Sequence, residues 1–175
     1  MNLGCGDQAF GDIHVDIYKT KTTDVLCDAH FLPFRDNIFH LVYSRYVFEH
    51  LNNPMQSLKD QKRVLEEHGR IVLVTDNASY WRFHLKTKGS HIGYRNPICK
   101  HDKHYGLFVP MHLRNFFSTL KMDVEEIKFF DYDRKQFKRP TGWLNLLLRG
   151  IPFLRHIGYG GFMVKSGGKH EGQAY

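Results

Sequence analysis

Three short runs near the start of the chain each end on glycine or an acid, and few folds place such residues there. Met1-Asn2-Leu3 passes straight into Gly4-Cys5-Gly6-Asp7, His14-Val15-Asp16-Ile17 carries Asp16 near its end, and Val25-Leu26-Cys27-Asp28 closes on Asp28. Read as strands, they are successive strand ends at one rim of a parallel sheet, and open α/β sheets bind their ligands beyond the carboxyl ends of their strands. A fourth strand, His40 to Ser44, is entered from the turn at Arg35-Asp36-Asn37. Asn53-Pro54 starts a helix with Met55, Leu58, Val64 and Leu65 on one face, ended by Glu67-His68-Gly69 with Gly69 as the left-handed cap. Arg70 to Thr75 is a continuous apolar run rich in β-branched residues, the pattern of a strand buried on both faces. This β-α-β alternation predicts an α/β fold with a doubly wound, mostly parallel sheet and helices on both faces.

Beyond residue 80 the rhythm changes. Residues 80–108 are aromatic, histidine-rich and without a clear period, and are expected to be a substrate-facing insertion. Pro110 opens another helix carrying Leu113, Phe116, Phe117 and Leu120 at helical spacing, and Val124 to Tyr132 with Gly161 to Lys165 reads as a closing pair with an antiparallel strand. Trp143 to Leu154 is apolar enough for a helical cap, placing a lid near 133–157. A chain of 175 residues with 42% hydrophobic residues fits one domain, taken as 1–165, followed by a flexible tail at 166–175. No apolar run reaches the roughly 18 residues that a membrane span needs, and the start lacks the basic and apolar regions of a signal peptide. The three scattered cysteines, Cys5, Cys27 and Cys99, cannot form a disulfide framework, so a reducing, cytoplasmic setting is expected.

The formal net charge of +7 hides a division. Residues 1–79 hold 8 Lys/Arg against 11 Asp/Glu, whereas residues 80–175 hold 17 against 7 and also 7 of the 12 histidines. One half is thereby suited to a neutral or cationic ligand and the other to something anionic; ordinary solubility charge is the plain alternative.

The glycine loop is a weak signal alone and gains meaning from the acid at the next strand end. A carboxylate such as Asp16 there can accept both hydroxyl hydrogens of a ribose. Asp16, however, stands 12 residues after Gly4, against roughly 20 in the dinucleotide fingerprint. Asp7 to Ile13 is also too short for a full crossover helix, so no helix N-terminus is available for a pyrophosphate. NAD and FAD are disfavoured, and an adenosine ligand without a pyrophosphate remains allowed.

These residues, with Leu32-Pro33-Phe34 after Asp28-Ala29 and with Phe48-Glu49-His50-Leu51 before the helix, resemble the class I S-adenosylmethionine-dependent methyltransferases, and among them the small-molecule, type 11-like branch. The likeness runs over about the first 75 residues, and His104-Tyr105 with Phe108 and Pro110 to Leu113 resembles a later helix entry of the same branch. It implies a Rossmann-like fold, S-adenosylmethionine as cofactor and methyl transfer as activity. By that resemblance Gly4, Cys5 and Gly6 would lie under the methionine part, Asp16 would hold the ribose with Ile17 beside it, and Asp28 and Ala29 would meet the adenine. Ser44, Arg45 and Tyr46 would border the reactive methyl. The third glycine of the usual loop is Gln8 here, the usual acid after the phenylalanine is His40, and the helix that normally precedes the first strand is missing. Either the start is truncated or another chain completes that edge, so a homodimer is expected.

Methyl transfer depends mainly on positioning, and a base is needed only if the acceptor keeps its proton. His50 is the leading candidate, with a structural role in orienting its loop as the alternative, and Tyr46 is the second. Glu49 reads as a backbone anchor, while His101 and His104 also face the substrate region. Cys99, His101 and His104 form a C-x-H-x-x-H pattern without a fourth ligand or a second cysteine pair, so no metal site is expected. The acceptor is expected to be a small or medium anionic organic molecule, with Trp81, Tyr94 and Tyr105 in contact. RNA methylation is an alternative drawn from the basic half, although Asp76-Asn77-Ala78-Ser79 is not the signature of base-amine methylation. A non-catalytic cofactor-binding or partner protein is the third reading.

Overall fold

The computed structural model describes residues 1–81, 104–130 and 141–168. Among the described residues seven strands form one sheet: β1 (Asn2–Leu3), β2 (His14–Asp16), β3 (Val25–Leu26), β4 (Phe39–Arg45), β5 (Leu65–Asp76), β6 (Val124–Phe130) and β7 (Gly161–Ser166), in the order β3-β2-β1-β4-β5-β7-β6. The pairs from β3 to β5 are parallel, and β7 runs antiparallel to both β5 and β6. The expected doubly wound, mostly parallel sheet with its antiparallel closing strand is therefore present. Helix α1 (Pro54–Val64) links β4 to β5, α2 (Pro110–Thr119) lies between β5 and β6, and α3 (Thr141–Gly150) precedes β7. No helix occurs between β1 and β4; for the link from β1 to β2 the seven-residue spacer led us to expect this.

The core lies where Leu3, Val15, Val42, Ile71, Leu73, Phe162 and Val164 of the sheet meet Leu58 and Val64 of α1 and Leu113 and Phe117 of α2. Each such side chain contributes about 1.5–3 kcal/mol on full burial, which outweighs the short length of β1 and β2. β1 is not an open edge. Leu3 is paired with Val15 on one side and Ser44 on the other, so the edge strands are β3 and β6. The expectation of a truncated edge at the first strand is corrected by this pairing.

Asn53 caps α1, its side chain accepting from Gln56 N at 3.2 Å, and Pro54 supplies the pre-set first turn. The buried stripe is Ser57, Leu58, Gln61 and Val64, while Met55 is only half-buried and Leu65 already belongs to β5. The helix ends earlier than its pattern implied. Residues 66–69 form a bulge, because Phe39 pairs with Leu65 and Leu41 with Arg70. Gly69 is not the left-handed cap; His68 takes that conformation, at φ 64°. Gly69 is needed for space instead, since a Cβ there would stand 2.9 Å from the Phe39 carbonyl oxygen.

Arg63 at the end of α1 clamps the segment between β3 and β4. Its guanidinium donates to both oxygens of Asp60 (2.6 and 3.2 Å), to Asp36 (2.7 Å) and to the carbonyls of Leu32 (2.9 Å) and Phe34 (2.7 Å). Asp60 in turn accepts from Leu32 N. The carboxylates of Asp60 and Asp36 hold the guanidinium's pKa above its ordinary value. Replacing Arg63 by alanine should cost roughly 2–4 kcal/mol by urea denaturation, because charged hydrogen bonds are lost and Asp60 is left half-buried. Arg63→Lys should recover only part, since an ammonium lacks the planar fork; a change below about 0.5 kcal/mol for the alanine variant would mean the clamp is not holding this segment.

Among the described residues no helix is long and apolar enough to cross a membrane.

Candidate functional site

The strand ends converge as the sequence order implied. Register pairs Leu3 with both Val15 and Ser44, and Asp16 with Leu26, so the glycine loop, Asp16 and the residues after Ser44 leave the sheet at one level. Gly4 and Gly6 both take left-handed φ, at 67° and 52°. Their surroundings differ. A Cβ on Gly4 would lie 2.1 Å from Val47 Cγ2, whereas nothing stands within 4 Å of one on Gly6. Gly4 is thus required by the packing of the loop against the segment after β4, and Gly6 leaves room above the loop.

Asp16 is tied to that loop. Its Oδ2 accepts from Gly6 N at 2.9 Å and its Oδ1 from Tyr18 N at 2.9 Å. An ionised carboxylate offers about four lone-pair sites, so each oxygen keeps acceptor capacity for a ligand hydroxyl. Ile17 beside it is 58% exposed, an apolar surface flanking the carboxylate. Cys5 can meet a ligand only through its backbone, because its side chain is buried with Sγ 3.8 Å from Thr23 Oγ1. Ser44 is also buried, and its hydroxyl oxygen has no hydrogen-bond partner among the described residues. A nucleoside with an amino-acid tail fits these features: two hydroxyl acceptors, open space over Gly6 and a buried hydroxyl at the end of β4.

Asp28 lies two residues beyond β3. Burial raises its pKa, but hydrogen bonds from His30 outweigh that and hold it below the usual carboxylate value. Its Oδ1 accepts from His30 N (2.9 Å) and faces His30 Nδ1 (2.6 Å), while His30 Nε2 accepts from Asn53 N at 3.3 Å. Nδ1 therefore carries the proton, and the imidazole links Asp28 to the start of α1. Ala29 is buried with its carbonyl accepting from Ser57 Oγ at 2.8 Å. Sequence reasoning missed His30, although its position two residues after the acid was the available signal.

A second group of side chains gathers beyond β4 and β5. Tyr46, just past Arg45, is held at φ 56° with its N donating to Val74 O at 2.8 Å, a conformation that costs a non-glycine residue roughly 1–2 kcal/mol. Burial pushes its phenol up to about 12, and the Arg45 guanidinium carbon stands 5.1 Å from its ring centroid. Phe48–His50 forms one 3-10 turn, where Glu49 is 1% exposed and its Oε2 accepts from Thr75 Oγ1 at 2.9 Å. The Glu49 carbonyl accepts from Tyr105 N (2.7 Å) and Gly106 N (3.3 Å), which fastens the returning chain to the turn. That contact sets His104 against His50, with ring centroids 4.5 Å apart, and brings His104 Nδ1 to 3.7 Å from Asp76 Oδ2. Glu49 thus joins the return segment through its backbone carbonyl and β5 through its carboxylate. Asp76 was not among the expected site residues; only the fold shows that β5 ends beside the turn after β4.

Tyr105 is 62% exposed, and Trp81 is half-buried with its indole N–H donating to Asn145 Oδ1 at 2.6 Å. Asn145 also donates to Tyr80 Oη at 3.1 Å, so α3, within the expected lid, is fastened to the segment after β5. Tyr94, Cys99 and His101 lie outside the described residues, as do residues 82–103 of the insertion, 131–140 before α3 and 169–175 of the tail. An open cleft of about 490 Å³ between β6 and the turn Arg155–Gly158 includes none of the rim residues.

A sheet of this strand order, with a glycine loop and an acid at consecutive strand ends, is a doubly wound α/β architecture of the kind whose ligands bind beyond the carboxyl ends of the strands. Residues 3–73 match the model of a family described as a methyltransferase domain. An uncharacterized protein of Methanocaldococcus jannaschii is 31% identical over 91 residues, covering 44% of this chain, and the chain spans 40% of that curated relative's length. The fold is similar to that of a SAM dependent methyltransferase from Archaeoglobus fulgidus, with a TM-score of 0.64 and 19% identity over 95% of this chain and 84% of the other. It is similar also to an S-adenosylmethionine dependent methyltransferase from Mesorhizobium loti, at 0.63 and 17% over 95% and 88%. A further likeness, at 0.59 and 15% over 99% and 82%, is to a chain of the complex between the Haloferax volcanii Trm112 methyltransferase activator and a methyltransferase.

Proposed function

We propose that the chain is an S-adenosylmethionine-dependent methyltransferase acting on a small or medium anionic organic acceptor, and that residues 1–165 work as one domain. The observation that carries the cofactor half is the Asp16 carboxylate, held by Gly6 N at 2.9 Å with acceptor capacity to spare for ribose hydroxyls. When bound, the cofactor supplies a methyl group on a sulfonium. The chain's own residues do the rest. Gly4, Cys5 and Gly6 present backbone to the methionine part, Ile17 covers the nucleoside, and Asp28 and Ala29 border the adenine. Ser44 offers its buried hydroxyl beside them.

Tyr46 and His50 are the residues we assign to the acceptor side. Tyr46 is a neutral phenol at physiological pH, as an ordinary tyrosine is, and burial pushes its pKa further up, to about 12, so it acts as a hydrogen-bonding wall and not as a charge. His50 is the residue we assign to relieve a hydroxyl or amine acceptor of its proton. Much of the basic excess falls in residues 82–103 and 131–140, which in this topology follow β5 and β6. Several basic groups elsewhere are engaged within the fold: Arg149 donates to Gly158 O (3.0 and 2.7 Å) and Lys165 pairs with Glu125 at 3.2 Å. The proposal of an anionic acceptor therefore rests on the charge of these two segments of the sequence.

The test is transfer of a labelled methyl group to a panel of anionic and neutral acceptors across a salt series. Anionic acceptors should lead, with kcat/KM falling as salt rises, because the screening length shortens below about 8 Å above physiological ionic strength. Binding of the cofactor with transfer to no acceptor would leave a cofactor-binding protein. A neutral acceptor that works best at every salt concentration would remove the anionic assignment.

A further inference from the structure

From the cluster beyond β4 and β5 we infer that Glu49, His50 and His104, with Asp76 beside them, form a binding site for a divalent first-row transition metal ion. One ligand atom from each of Glu49, His50 and His104 lies within 4.8 Å of the others. Nitrogen and oxygen ligands at about 2.0–2.2 Å from an ion stand roughly 3.0–4.4 Å from one another, so the three need only close slightly to share one. Asp76 Oδ2, 3.7 Å from His104 Nδ1, is placed to complete the set or to orient that imidazole.

Three separate parts of the chain build this site. Glu49 and His50 sit on the 3-10 turn after β4, Asp76 ends β5, and His104 arrives on the return segment. Backbone hydrogen bonds fix their meeting: Tyr105 N to Glu49 O at 2.7 Å, and Ala78 N to Phe108 O at 2.8 Å. Glu49 is itself oriented, since Thr75 Oγ1 donates to its Oε2 at 2.9 Å. Supporting hydrogen bonds of this kind set the geometry of metal-ligating carboxylates. The half-exposed imidazoles give an ion a way in, and one or two carboxylates besides them leave other positions for water or an acceptor oxygen.

The donor set selects the ion. Two imidazoles with one or two carboxylates suit Mn²⁺, Co²⁺ or Zn²⁺, whereas Mg²⁺ prefers oxygen alone. Of the pattern Cys99-x-His101-x-x-His104, His104 is the member among the described residues, and the partners it meets there come from elsewhere in the chain. If the methyltransferase reading is right, an ion here stands on the acceptor side of the rim, where it would polarise an acceptor oxygen. Ion binding itself does not depend on that reading and is measurable without cofactor or acceptor.

The experiment uses tag-free full-length protein, stripped with chelator and titrated with Co²⁺, Mn²⁺, Zn²⁺ and Mg²⁺ by calorimetry, with visible spectra for Co²⁺. One equivalent of Co²⁺ should bind with ligand-field bands, and Mg²⁺ should bind far more weakly. His50→Ala and His104→Ala should each weaken binding by more than roughly 100-fold, beyond what loss of a supporting partner costs. His40→Ala, which removes a 73% exposed histidine on β4, should leave it unchanged. Glu49→Gln keeps the acceptor for Thr75 but loses the charge, so weakened binding without a change in melting temperature isolates the ligand role. No binding at millimolar metal, or ligand-field bands that persist in the His50→Ala/His104→Ala double variant, would overturn the site.

Discussion

Replacing Asp16 by alanine is expected to weaken binding of S-adenosylmethionine and of its demethylated product by roughly 100-fold or more. Two hydrogen bonds to a charged acceptor are each worth about 1.5–3 kcal/mol, and about 1.4 kcal/mol is tenfold in affinity. The same carboxylate accepts from Gly6 N and Tyr18 N, both at 2.9 Å, so its loss also frees the glycine loop. Titration calorimetry on wild type, Asp16→Ala and Asp24→Ala separates these effects. Asp24 is a neighbouring carboxylate engaged with His14 at 2.7 Å and carries no ligand role. Equal affinity in wild type and Asp16→Ala would remove Asp16 from the site.

Gly4→Ala should cost the fold about 2–5 kcal/mol. A left-handed residue with a Cβ loses roughly 1–2 kcal/mol, and the new methyl would overlap Val47 Cγ2 at 2.1 Å, an overpacking that costs about 1–3 kcal/mol more. That is a large share of the 5–15 kcal/mol that typically stabilises a domain. The double variant Gly4→Ala/Val47→Ala should recover the steric part and leave the backbone part. Gly6→Ala provides the contrast: nothing lies within 4 Å of its new methyl, so stability falls only by the backbone cost of about 1–2 kcal/mol. Ligand affinity should fall nonetheless, because the methyl occupies the space above the loop. Urea denaturation gives the stabilities, and a Gly4→Ala loss below about 1 kcal/mol would mean that the loop yields.

The sequence by itself determined the sheet's character and the rim. Alternating runs with glycine or acid at their ends require a parallel sheet whose ligand side is one rim, and Gly4, Gly6, Asp16 and Ser44 do lie at the level the order implies. The helix at Pro54 and the one at Pro110 were legible from their caps and periodicity, because those are local properties. The end of α1 was not. Glycine at position 69 reads as a cap, yet the close approach of the Phe39 carbonyl is what demands it, and His68 bears the left-handed turn. That requirement comes from a neighbouring strand and has no signature in the local pattern.

The same limit explains the rest. β1 was expected to form a truncated edge because it is short and the helix that normally precedes it is missing, but hydrogen bonding to both β2 and β4 makes it an inner strand. Strand order is decided by which apolar faces pack together, and a linear sequence does not carry it directly. The meeting of Glu49, His50, Asp76 and His104 depends on backbone hydrogen bonds between residues far apart in the chain, such as Tyr105 N to Glu49 O. Spacing along the chain pointed to no metal motif, because the ligands come from three segments that only the tertiary structure brings together.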